Sequence, residues 1–170
     1  MVFPGVNTRI YVAKKYESLI KDLLDSPGNF ILAYYRDDTL DTIYETASIV
    51  SIEDFNKQKS GVWELSIKSQ HRIHLSDLNK IQNSRKTGAY RLIHYLDEEF
   101  ISHEEEMKIR DALQVKIKKN FPDMAPHLYS ELIEKFTIAK FLHYLCFSSR
   151  KNKETKIKLL GHTSLYKLYR

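Results

Sequence analysis

The spacing of hydrophobic residues changes once along this chain, from a period of two to a helical period, at the acidic stretch Asp97, Glu98 and Glu99. Before it, the clearest strand is 62–68, where Trp63, Leu65 and Ile67 alternate with Glu64, Ser66 and Lys68. One face is therefore apolar and the other polar. Residues 43–52 supply a hairpin partner, and 56–61 between them have the composition of a loop. Short strands are also predicted at 9–12, 72–75 and 90–96. The continuous apolar run 30–35 predicts a strand covered on both faces. Arg36, Asp37 and Asp38 make its turn, and the polar stretch 76–88 is long enough for a mobile loop. One helix interrupts the strands, at about 13–25. Its Tyr16, Leu19, Ile20, Leu23 and Leu24 recur at i, i+3, i+4, i+7 and i+8, and Pro27 and Gly28 stop it.

Past the acidic stretch the pattern is helical. Ser102 followed by Glu105 is a capping box, in which each side chain reaches a backbone N–H that the first turn leaves unpaired. Ile109, Leu113 and Ile117 share a face, and Pro122 ends that helix. From Pro126, a tolerated first-turn proline, the stripe Leu132, Phe136, Ala139, His143 and Cys146 predicts one helix to about residue 147. Asn152 caps a further helix ending near Gly161, and Ser164 begins a last short turn. A β-rich beginning followed by an all-helical end argues for an α+β chain, with a β-rich domain at 1–99 holding one helix and a helical domain at 100–170.

The order of several short motifs adds a resemblance. Phe3-Pro4-Gly5 leads into Ile10, then Lys15 and Tyr16 open the helix, and Gly28-Asn29-Phe30 turns into the next strand. Ala47, Ser48 and Ile49 follow, then a long strand from Gly61 to Leu75 carrying Arg72, then the strand 90–98, and finally Lys156, Leu159 and Leu160. In this order the chain resembles the N-terminal domain of Lon proteases. Tyr44 and Ser69 stand where that family usually has glycines. The resemblance implies a six-stranded pseudo-barrel of PUA-like type beside a helical bundle. It also implies a role in recognising unfolded or tagged polypeptides, with a separate ATP-dependent protease as a further partner. The chain starts where the family's first strand would already be in place, so an open sheet edge is expected beside Ile10 and Val12, inviting a client strand or a second copy. It ends where the family's ATPase and peptidase parts would begin.

The residues themselves point to no catalysis. Gly5, Gly28, Gly61, Gly88 and Gly161 are too scattered for a phosphate loop, and the Ser and Lys of a Lon peptidase belong to a domain outside this chain. No cofactor is expected. His71 and His74 fall on opposite faces of a strand, which separates them as metal ligands. Cys146 and His143 share a helix face and read as a buried core pair rather than a catalytic thiol and imidazole.

Binding is the better expectation. The chain is 12% aromatic, and most of its tyrosines are explained by cross-strand packing. Tyr35, Tyr44 and Tyr90 are the candidates for a peptide groove, with Arg72 as the nearby charge, whose alternative role is a structural salt bridge. Charge suggests a second class of partner. Residues 1–106 carry 13 Lys and Arg against 17 Asp and Glu, whereas 107–170 carry 14 against 5. Lys116, Lys119, Lys151, Lys153, Lys156 and Lys158 would serve an RNA-binding alternative, or else lie on solvated helix faces. A single cysteine, no signal-peptide layout and no apolar run of about 20 residues place the protein in a reducing cytoplasm as an expectation.

Overall fold

The computed structural model describes residues 1–36, 42–80, 86–97, 101–120, 122–123 and 125–169. The architecture is α+β: a mostly antiparallel sheet, interrupted by one short helix, is followed by helices. Strand β1 is Asn7–Val12, α1 is Glu17–Leu24 behind a 3-10 turn at Lys14–Tyr16, and β2 is Asn29–Leu32. Strands β3 (Thr46–Lys57), β4 (Trp63–Lys80) and β5 (Lys86–Leu92) complete the sheet.

The 18 residues of β4 form the spine of this sheet. On one side β4 pairs with β3, which in turn pairs with β2. On the other side its first half holds β1, from Trp63 opposite Val12 to Lys68 opposite Asn7. Its second half holds β5, from Ile73 opposite Leu92 to Lys80 opposite Lys86. β1 and β5 thus lie end to end along the same margin of β4. Among the described residues the sheet does not close into the expected pseudo-barrel. β2 is the outer strand on one side, and β1 and β5 are the outer strands on the other.

Two predicted features take a different form. The polar stretch 76–88 is largely ladder, with Ser76 opposite Ala89 and Asn79 opposite Thr87 across a bulge. Backbone pairing needs no apolar side chain, so polar composition alone does not make a loop. Residues 81–85 lie outside the described residues. The run at 30–35 is an edge strand of four residues whose exposure alternates, because β3 flanks it on one side and its outward positions meet solvent.

The helices are α2 (His103–Asn120), α3 (Pro126–Lys135), α4 (Ile138–Ser148), α5 (Lys153–Gly161) and α6 (Leu165–Tyr169). The capping box forms as expected: Ser102 N–H donates to Glu105 Oε2 at 3.1 Å, and Glu105 N–H donates to Ser102 Oγ at 3.2 Å. Asn152 caps α5 through Oδ1, which accepts from Thr155 N–H at 2.9 Å. The single helix predicted from Pro126 to about 147 is instead two. Phe136 is extended at φ −99° and ψ 140°, and Thr137 caps α4 by accepting from Lys140 N–H at 3.3 Å. The Arg110 guanidinium of α2, held by Glu106, donates to the carbonyls of Ile133 and Phe136 that this break sets free.

One apolar core joins the sheet to the helices. Trp63, Leu65 and Ile67 are at most 6% exposed, as the alternation predicts, and they cluster with Val50, with Ile109, Leu113 and Ile117 of α2, and with Phe141 of α4. Each such large side chain contributes about 1.5–3 kcal/mol by leaving water. A smaller cluster holds Ala47, Ile73 and Leu75, with Ala33, Ile43 and Ile49 packed against it.

Candidate functional site

Phe3, Pro4 and Gly5 are a structural anchor. Phe3 is fully buried. Gly5 has φ +76°, a left-handed conformation that favours glycine, and its N–H donates to Ser69 O at 2.8 Å. Val2 is fastened as well: its N–H donates to Tyr34 Oη and its carbonyl accepts from Ser48 Oγ, both at 2.8 Å. Burial pushes the Tyr34 phenol up to about 12. The N-terminal segment is thereby held against β4 where β1 begins.

Arg72 is 3% exposed, beside Pro4, Tyr95 and His143. Its Nη1 donates to Leu160 O at 3.1 Å and to His162 O at 2.6 Å, and its Nη2 donates to Ile93 O at 3.2 Å. The cation therefore caps the carbonyl end of α5, where the helix dipole is negative. Gly161 lets the end of α5 pack closely on β3, because a Cβ there would come within 3.1 Å of Thr46 Oγ1.

Neither His143 nor Cys146 is prepared for chemistry. His143 Nδ1 donates to Pro4 O at 3.1 Å, so Nε2 is the acceptor that meets the Tyr95 hydroxyl at 2.5 Å. Burial, and then the Arg72 charge, lower this imidazole to about 4. Burial raises the Cys146 thiol to about 11. These shifts are opposite to those of a reactive thiolate and imidazolium. Among the described residues no three His, Cys, Asp or Glu side chains are grouped to hold a metal ion, and no helix is long and apolar enough to cross a membrane.

The structure places Tyr35 and Tyr44 on two paired backbone segments and Tyr90 on a different strand. Tyr35 bridges to Ile43, and Tyr44 N–H donates to Tyr34 O at 2.8 Å. Arg36 and Lys153 lie 5.5 and 6.0 Å from the Tyr44 ring centroid, and Lys153 Nζ donates to Tyr35 O at 2.8 Å. The Tyr44 ring is therefore half-buried between two cations, while Tyr35 is 38% exposed on the neighbouring backbone segment. Tyr90 is 51% exposed on β5, opposite Leu75 and across β4 from this pair.

Five of the six lysines of the RNA-binding alternative have a stated place. Lys116, Lys119 and Lys151 line a common cleft. Lys153 is turned onto Tyr35 O, and Lys156 Nζ donates to Phe147 O at 2.6 Å.

A candidate recognition surface is the outer margin of β1, one of three outer strands. Ser69 N–H donates to Val6 O at 3.1 Å. By alternation this directs the backbone of Thr8, Ile10 and Val12 toward β4 and that of Asn7, Arg9 and Tyr11 outward. Among the described residues no strand pairs with this outer margin. Arg9 is tied across the ladder to Glu64 at 3.0 Å, while Tyr11 is 63% exposed. The short apolar strand was legible from Ile10 and Val12, whereas the exposure of Tyr11 depends on which residues face β4.

No family model matches the chain, and no curated protein matches it in sequence. Solved structures do share its fold over its whole length. One is a Lon N-terminal domain protein from Xanthomonas campestris, 15% identical, aligned over 99% of this chain and 88% of that chain with a TM-score of 0.72. Another is the N-terminal domain of the Mycobacterium avium complex Lon protease, 11% identical, aligned over all of this chain and 89% of that one with a TM-score of 0.74. The α+β fold is therefore that of Lon N-terminal domains, as the order of motifs implied.

Proposed function

We propose, for a chain that carries the Lon N-terminal fold along its full length, that it is a non-catalytic polypeptide-recognition module, taking an extended client segment on the outer margin of β1. The outward backbone of Asn7, Arg9 and Tyr11 is the observation that carries this reading. Main-chain hydrogen bonds bind a strand without demanding a sequence, which suits a receptor for unfolded or tagged polypeptides. Tyr11 adds apolar area with a polar tip beside that edge. Tyr35 and Tyr44 are a secondary contact in this reading, while Arg72 stabilises the fold behind them. Delivery to a separate ATP-dependent protease in a reducing cytoplasm belongs to the same proposal, supported by the fold and by a single, buried cysteine.

The test is calorimetric titration with a reduced, carbamidomethylated, permanently unfolded protein. Arg9→Pro removes one outward N–H while leaving the pairing with β4 intact, since proline is tolerated on an edge strand. Arg9→Ala controls for the lost side chain. Binding by the alanine variant that weakens in the proline variant supports the edge; equal binding by both refutes it. A concentration-dependent dimer broken by Arg9→Pro would show that a second copy occupies the edge instead.

A further inference from the structure

The cleft lined by Lys116, Lys119 and Lys151 has a volume of about 660 Å³ and opens between α2, α4, α5 and α6. Its volume is in the range of pockets that enclose side chains or small ligands. Lys116 and Lys119 of α2 line one wall, Arg150 and Lys151 beyond α4 line another, and Lys167 of α6 completes the rim. Among the described residues that line it, none is Asp or Glu. The floor is aliphatic: Leu113, Ile117 and Leu142 are buried, and Leu145 and Leu159 remain half-exposed. Cys146, raised to about 11, adds no negative charge.

Helix dipoles explain part of this cluster. The C-terminal ends of α2, α4 and α6 lie near the rim, and each supplies at most about half a negative charge. Lys116 has an interaction of its own, and the three ends offset roughly 1.5 of the four positive charges of Lys119, Arg150, Lys151 and Lys167. A surplus of cations around aliphatic carbon remains, which calls for an occupant that is both acidic and apolar. Single-stranded RNA fits less well, because among the described residues no aromatic ring lines the cleft to stack a base.

We propose that this cleft receives an amphipathic acidic helix of a partner polypeptide, its apolar face on Leu145 and Leu159 and its carboxylates on the lysines of both walls. The class of partner rests on the polypeptide-recognition reading; the place and the charge rest on the cleft alone.

The experiment is fluorescence anisotropy with a labelled synthetic helix of about 18 residues, five turns, bearing leucines at i, i+3, i+4 and i+7 and glutamates on the flanks. Full-chain protein should bind it saturably. The Lys116→Gln, Lys119→Gln, Lys151→Gln triple variant should weaken binding about tenfold or more, and replacing the peptide's leucines by serine should abolish it. Thermal melts establish that the variant is folded, and Lys151→Gln with Lys167→Gln serves if the triple is not. Unchanged binding by a folded variant, equal binding of the serine peptide, or tighter binding of oligouridylate or phosphatidylserine vesicles lost in the same variant would overturn the proposal. The reduced, carbamidomethylated unfolded protein, chosen with a net charge near zero and hereafter the neutral unfolded client, is titrated in parallel. If it binds while the acidic helix does not, the cleft proposal fails and the edge reading stands; if neither binds, both fail.

Discussion

The guanidinium carbon of Arg72 lies 3.7 Å above the ring centroid of Tyr95. The Tyr95 hydroxyl meets His143, and His143 meets the carbonyl of Pro4. A single chain of contacts thus links β4, the N-terminal anchor and α4, while Arg72 reaches on to the end of α5. Arg72→Met should leave the carbonyls of Leu160, His162 and Ile93 without these donors, costing about 3 kcal/mol or more. Lysine should rescue little, having neither the planar fork nor the stacking surface. For 170 residues this corresponds to a fall in melting temperature of about 6–12 °C, measured by circular dichroism.

His143 gives the fold a dependence on acid. Its folded pKa of about 4 is below the ordinary 6.5, so between those values the unfolded chain binds the proton and the native one does not. The contribution is fully present above pH 6.5 and is lost as pH falls toward 4, amounting to about 3 kcal/mol. His143→Gln should flatten that segment of the profile. Urea midpoints at pH 7 and pH 4.5 for both proteins check this.

The sequence was most informative where neighbours in the chain decide the structure. Trp63, Leu65 and Ile67 face the core as their alternation requires, and Ser102 with Glu105 forms its box. Contacts distant in sequence were not legible. Phe136 fits a helical stripe, yet the chain breaks there because Thr137 caps α4 and Arg110, 26 residues away, caps the freed carbonyl. The hold of Arg72 on the end of α5 is not legible in the sequence, because its partners at 160 and 162 are 88 and 90 residues distant. The cleft was foreshadowed by the basic last third, but which lysines converge depends on how the helices pack.

That break yields its own prediction. Arg110→Met should destabilise the protein by about 2 kcal/mol and increase amide exchange preferentially in α3. Uniform exchange throughout the helices would show that Arg110 does not hold this junction.

Purified protein is expected to turn over neither ATP nor casein, given the buried thiol and imidazole and the scattered glycines. A coupled phosphate-release assay and a fluorescent casein assay check this. Turnover that a single substitution abolishes would contradict it.

Hydrogen exchange with the neutral unfolded client tests polypeptide recognition at the β1 margin most directly. New protection should appear at Asn7, Arg9 and Tyr11, whose N–H groups point away from β4, while the helices remain unchanged. Binding that leaves residues 7–12 unprotected, or no binding at all, would contradict it.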